Sequence, residues 1–248
     1  VGGIGPKNYS IIQEAINDAS DGDTIFVYND SSPYYESLVV DKSINLKGED
    51  WESTIINSVI KYKSTIHVIY DWVNISGFTV REGYGGIRIN ANNNTISGNI
   101  VIDNGWGGVS LQNAKFNNIT DNRIIYNFYG VQIYKKSNYN IISNNLIRNS
   151  LFLGIMIGNP IVPLKLIDKN YDPLFGNDDS KFNIIAKNTF YNPVGNAYFV
   201  EGKTNNWDGN YWGRPRIFPK IIRGYDEFDE RYINIDWHPA FLPYHKLF

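Results

Sequence analysis

Ile96-Ser97-Gly98-Asn99-Ile100-Val101, Ile119-Thr120-Asp121-Asn122-Arg123-Ile124 and Ile142-Ser143-Asn144-Asn145-Leu146-Ile147 are three copies of one phrase, set 23 residues apart. Fainter copies begin at Ile75, Ile185 and Trp207, so successive leading residues are separated by 21, 23, 23, 43 and 22 positions. The 43 is close to two steps and marks either a degenerate coil or an insertion between Asn159 and Phe182. A fixed step of this size belongs to a solenoid, in which each repeat buries its apolar face only against its neighbours.

The remainder of each repeat agrees. Gly86, Gly108, Gly130 and Gly154 each open an alternating triplet: Ile87-Arg88-Ile89, Val109-Ser110-Leu111, Val131-Gln132-Ile133 and Ile155-Met156-Ile157. Period two sends the outer members into a core and predicts that Arg88, Ser110, Gln132 and Met156 point out. Strands this short, joined by Asn, Gly, Asp and Ser turns, exclude helical solenoids. The dominance of Ile and Val over a regular leucine framework disfavours leucine-rich repeats. Dividing Thr24 to Trp212 by the step predicts roughly eight or nine coils of a parallel β-solenoid.

Stacking gives the asparagines a role. Asn99, Asn122, Asn145, Asn188 and Asn210 share one repeat position, so parallel coils place them about 4.8 Å apart along the axis. An amide carries donors and an acceptor, so each can bond the next, and the five are predicted to form a buried ladder. Phe78 holds the same position in an earlier coil, so the ladder is expected to begin after it.

The pattern N-x-I-x-x-N-x-I followed by G-I-x-I resembles the right-handed parallel β-helix family with NosD-type repeats, often described as carbohydrate-binding and sugar-hydrolysis modules. Tyr9 to Ile16, Asp21 to Val27 and Asp41 to Gly48 are similar to that family's opening segment. The resemblance implies a right-handed all-β solenoid located outside the cytoplasm. The fold carries lyases, hydrolases, epimerases, accessory proteins and surface proteins, so activity must be argued from a site.

The ends of the solenoid need covers. Ser10 and Gln13 read as a capping box, and Ile11, Ile12, Ala15, Ile16 and Ala19 make one apolar face of a short helix that Gly22 is expected to stop. Residues 1–23 are therefore an N-terminal cap, 24–212 the coils and 213–248 a proline-punctuated, irregular C-terminal cap, all one structural domain. The pieces from Asn210 to Pro215 and from Asp236 to Ala240 resemble a C-terminal extension of some archaeal surface β-helix proteins. Phe241 to Phe248 could instead dock on a neighbouring subunit, which makes self-association through the tail a partner expectation.

Charge is nearly balanced, with 23 basic against 25 acidic residues, which gives no electrostatic pull toward nucleic acid. No run is long and apolar enough to span a bilayer, and Val1-Gly2-Gly3 has the look of a mature or trimmed start. There is no cysteine, a composition compatible with an oxidising exterior. Sequons occur at Asn8, Asn29, Asn74, Asn93 and Asn118, a number that a chain so rich in Asn produces by chance.

Paired carboxyls, basic residues and metal ligands are the groups through which such a scaffold could do chemistry. A glycoside hydrolase needs two carboxyl groups across one bond, and Asp178-Asp179 is the adjacent acidic pair of the insertion. The Gly-His-Gly and Arg-Ile-Lys segments of pectin-cleaving β-helix hydrolases are missing, so the pair reads as solvated loop. A lyase needs a base with a uronate-neutralising site, often with calcium, for which Arg88 and Lys115, or Lys135 and Lys136, are available. Copper is disfavoured, because His67, His238, His245 and Met156 are the whole supply of His and Met and no cofactor is otherwise implied.

Tyr84, Trp106 and Phe128 recur at steps of 22, with Tyr129 and Phe152 beside them. Exposed, such a stripe offers apolar ring faces to a polysaccharide or cell-surface glycan; buried, it closes the turn corners. The two function classes that remain are a non-catalytic extracellular or cell-surface module, structural or glycan-binding, and a polysaccharide lyase or glycoside hydrolase.

Overall fold

The computed structural model describes residues 1–3, 5, 8–158, 180–200, 204–225 and 231–245. Each coil is three short strands joined at three corners. The first series is β1 (Thr24–Val27), β4 (Asn45–Gly48), β7 (Asn74–Ser76), β10 (Thr95–Ser97), β13 (Asn118–Thr120), β16 (Ile141–Ser143), β19 (Ile184–Ala186) and β22 (Asn206–Asp208). The second is β2 (Tyr34–Tyr35), β5 (Ile55–Asn57), β8 (Thr79–Arg81), β11 (Ile100–Ile102), β14 (Arg123–Ile125), β17 (Leu146–Arg148) and β20 (Thr189–Tyr191). The third is β3 (Leu38–Val40), β6 (Ser64–Val68), β9 (Gly85–Ile89), β12 (Gly107–Gln112), β15 (Tyr129–Tyr134), β18 (Leu153–Ile157), β21 (Gly195–Val200) and β23 (Lys220–Tyr225).

Within each series every neighbour is parallel and in register, giving a right-handed β-helix of about eight turns. Ile96 pairs Ile119, Ile119 pairs Ile142, and Ile142 pairs Ile185, all of them fully buried. The 43-residue step is thus one coil carrying an insertion, because Ile141 lies directly beside Ile184. Burying an Ile or Val side chain contributes about 1.5–3 kcal/mol, and the repeat places one on the same interior column in coil after coil. Glycine opens the third strand because coils approach closely there: a Cβ on Gly130 would sit 2.4 Å from the Gly154 carbonyl oxygen.

At the N-terminal end, α1 (Ile12–Asp18) buries Ile12, Ala15 and Ile16 over the first coil, while Ile11 stays 41% exposed. The capping box does not form. Instead the Glu36 carboxylate accepts hydrogen bonds from the backbone N–H groups of Ile12 and Gln13, at 2.8 and 2.9 Å. The Gln13 amide is spent on the backbone of Val39, pairing the helix with β3. The helix ends at Ala19, where extended backbone and the Lys42 ammonium on the Ile16 carbonyl replace the stop expected at Gly22.

The C-terminal segment is more regular than its prolines imply. β23 and β24 (Arg231–Asp236) form an antiparallel pair that lies on the last coil, β23 continuing the third series beside β21 and β24 continuing the first beside β22. The tail then turns back along its own chain: Ala240 N–H donates to the Asn210 carbonyl, Tyr244 N–H to Thr189 Oγ1 and His245 Nε2 to the Asn144 carbonyl. Phe241 and Leu242 remain exposed.

Candidate functional site

The corners are built by a two-residue device, a left-handed residue followed by a buried Asn. At one corner Gly98, Asp121, Asn144, Lys187 and Gly209 take φ between 54° and 66°, and each precedes a ladder member. Asn99, Asn122, Asn145, Asn188 and Asn210 are fully buried. Each Oδ1 accepts from both the backbone N–H and the side-chain amide of the preceding member, as Asn145 does from Asn122 at 3.0 Å each. Each Nδ2 also reaches a carbonyl in the preceding coil, as Asn122 reaches Ile96. Phe78 stands at the head, its N–H bonded to Asn99. At the foot Asp236, buried, accepts from Asn210 N–H and Nδ2, Gly209 N–H, His238 N–H and Trp212 Nε1. An acceptor-only carboxylate fits there, since the ladder ends on donors.

Two further Asn runs extend the device beyond the five predicted ladder members. Asn94, Asn117, Asn140, Asn183 and Asn205 form a second ladder, and Asn104 with Asn127 belongs to the third corner. Their steps of 22 or 23 residues, and of 43 across the insertion, are the corresponding sequence signal.

The stripe expected from Tyr84, Trp106 and Phe128 is a ring stack that runs on to Phe152, with centroids 5.9, 5.3 and 5.7 Å apart. Tyr84 is 46% exposed, whereas Trp106 and Phe128 are half-buried. Tyr129 is buried and meets Trp106, Phe128 and Phe152 edge-on, so it backs the stack and offers no face to a sugar. Burial raises its phenol to about 12. The outward-facing column also differs from expectation. Ser110, Gln132 and Met156 are buried, and Met156 packs with Tyr129, Leu153 and Val200 in a second apolar cluster outside the coils.

A more exposed stack stands at the corner before the second Asn ladder. Phe116, Tyr139 and Phe182 lie 5.2 and 5.1 Å apart, their planes inclined by 8° and 11°, and are 57%, 47% and 49% exposed. Those centroid distances exceed the thickness of two rings in contact, so the rings overlap like shingles and leave part of each face open. All three have positive φ, at 58°, 59° and 56°, a rare and strained conformation for a bulky residue. Trp72, 65% exposed with φ 64°, starts the same column, and Asn93 lies between. The repeated Phe-Asn or Tyr-Asn at 116, 139 and 182 was the sequence signal.

Asp178 and Asp179 lie outside the described residues. Among the described residues no three His, Cys, Asp or Glu side chains group as a metal site requires. The soft ligands are spent separately: His67 Nε2 on Asn90, His238 Nδ1 on Asp208, His245 Nε2 on Asn144, and Met156 in apolar packing. His67 and Met156 share the outward column four strand steps apart, about 19 Å, so they cannot hold one ion. Arg88 binds Asn90 and Gln112 rather than standing ready as a base. No helix among the described residues is long and apolar enough to cross a membrane.

A parallel three-strand coil, Asn-laddered corners and capped ends define a right-handed β-helix protein. The chain belongs to the NosD family, described as "Periplasmic copper-binding protein (NosD)", whose family model matches residues 16–216. The described residues do not fit copper binding, for the reasons of position just given. A "Cell surface glycoprotein" of Methanothermus fervidus is 38% identical over 96 residues, which is 38% of this chain and 16% of that relative's length. Among solved structures, an alginate lyase from Paenibacillus sp. str. FPU-7 has TM-score 0.53 and 15% identity, covering 79% of this chain and 91% of its own. Geobacillus virus E2 ORF18 has TM-score 0.54 and 14% identity, covering 91% and 59%. At these identities the likeness is one of fold.

Proposed function

We propose that this chain is a non-catalytic extracellular or cell-surface β-helix module whose corner wall holds a linear glycan. The observation that carries this reading is the shingled stack of Phe116, Tyr139 and Phe182. The fold needs only a left-handed residue at these positions, and aromatic side chains are a poor choice for that. Strain kept in three successive coils points to a role for the rings themselves. Partly open aromatic faces at a regular step suit the repeated apolar faces of a sugar chain. The cell-surface relative supports the location, and the Tyr84 end of the other stack offers a smaller secondary contact.

The test is titration of soluble neutral polysaccharides onto the protein and a Phe116→Ala, Tyr139→Ala, Phe182→Ala variant. Binding lost in the variant while the fold is retained supports the reading; unchanged binding, or none to any glycan in the native protein, removes it. Trp106→Ala, followed by tryptophan fluorescence, measures the share of the Tyr84 stack. The alternative, a polysaccharide lyase or glycoside hydrolase, is separated by assays for reducing sugar and unsaturated uronate. There Asp178→Asn with Asp179→Asn is expected to change nothing, whereas a hydrolytic pair would lose several orders of magnitude.

A further inference from the structure

The outward face of the solenoid changes character at the C-terminal cap. Tyr198, Arg223, Tyr225, Arg231, Tyr232 and Ile233 line a cavity of about 490 Å³. The hairpin register sets Tyr225 opposite Arg231 and Arg223 opposite Ile233. Opposed residues share a face, so the two arginines form a diagonal pair about 7–8 Å apart, with Tyr225 on that same face opposite Arg231. Arg223 and Arg231 are exposed, and among the described residues no carboxylate lies within ion-pair distance of either.

More cations crowd the same end. Burial first, and then Arg216, Arg214 and Arg223, hold the Lys220 ammonium below its usual range, and burial followed by Arg214 does the same to Arg216. Arg216 Nε and the Tyr198 hydroxyl are buried and find no hydrogen-bond partner among the described residues. Among the described residues this end carries a cluster of positive charge, which an arriving anion would relieve. A paired guanidinium fork recognises planar carboxylates, and tyrosines add flat apolar surface with a polar tip.

We infer that this pocket binds a carboxylate-bearing sugar, a uronate unit of an acidic polysaccharide, between Arg223 and Arg231. It rests on the reading of the chain as a glycan-contacting module, but its residues are remote in sequence from Phe116 and Tyr139. Failure at one surface therefore leaves the other testable.

Calorimetric titration of the whole chain with oligogalacturonate, its methyl ester, dextran sulfate and a neutral glucan decides the matter. Oligogalacturonate should bind, the methyl ester and glucan should not bind at this pocket, and Arg223→Ala or Arg231→Ala should weaken oligogalacturonate by at least about tenfold. Arg231→Lys keeps the charge and should still weaken binding, because the fork is gone. Lys61→Ala, which removes an exposed cation of an early coil, should leave this affinity unchanged. Equal affinity for dextran sulfate and oligogalacturonate, insensitive to Arg231→Lys, would mark a diffuse charged patch and overturn the assignment. So would a lowered melting temperature with unchanged binding, which would identify the arginines as partners of Asp226, Glu227, Asp229 or Glu230, acids outside the described residues.

Discussion

Two corners of this solenoid have the same backbone and opposite side chains. At the corner before Asn99, Asn122 and Asn145, the left-handed position holds Gly98, Asp121 and Asn144, residues that tolerate it. At the corner before Asn117, Asn140 and Asn183 it holds Phe116, Tyr139 and Phe182, which do not. Both corners turn and both ladders form, so the geometry is set by the buried amide that follows. The exposed residue ahead of it is free to vary, and at one corner it has been given to aromatic rings. The interior columns answer to the fold, and the outer column answers to what meets the surface.

The largest effect should come where the first ladder stops. Asp236→Ala removes the acceptor of five hydrogen bonds, including those of the buried Trp212 indole and Asn210 amide, and should destabilise the protein by at least about 3 kcal/mol. Asp236→Asn should also destabilise, because an amide NH2 would face the Gly209 and His238 donors. Denaturant melts of both variants give the measure, and native-like stability in Asp236→Ala would show that the ladder needs no terminal acceptor.

Within the ladder, Asn122→Ala should cost about 1–3 kcal/mol, since Asn99 and Asn145 keep buried groups that lose their partner. An unchanged melting midpoint would break the claim that the amide column sets the corner.

Tyr139→Asn makes one corner resemble the other. Relief of left-handed strain, about 1–2 kcal/mol, opposes the loss of two ring stacks, about 0.5–1.5 kcal/mol each, so stability should move by no more than about 2 kcal/mol. Glycan binding should fall. Binding that survives this change while the melt is native-like would mean that the rings serve packing alone.

The smallest effect concerns the other stack. The Tyr129 phenol is raised by burial to about 12, against about 10 in the unfolded chain. A raised folded value means that the contribution is whole below pH 10 and is lost as pH climbs from 10 through 12. Tyr129→Phe should flatten the alkaline loss of stability over that window. Tyr191 and Tyr198, also raised to about 12, should keep part of the slope.

The sequence by itself determined the coil step, the parallel stacking, the first Asn ladder and its start after Phe78. Those features are carried by residues spaced 21 to 23 apart, or 43 across the insertion, and stacking converts spacing directly into contact. It could not tell an exposed stack from a buried one, because Tyr84, Trp106 and Phe128 recur at a step of 22 and Phe116 and Tyr139 at 23, within the spread of one coil. Only the three-dimensional path decided that Glu36 rather than Ser10 caps the helix, that Met156 lies under an outer aromatic cluster, and that Asp236 closes the ladder. Each of these joins positions with no periodic relation. The helix end, the outer face and the last coil lie where the repeat stops, so their partners come from wherever the chain happens to pass.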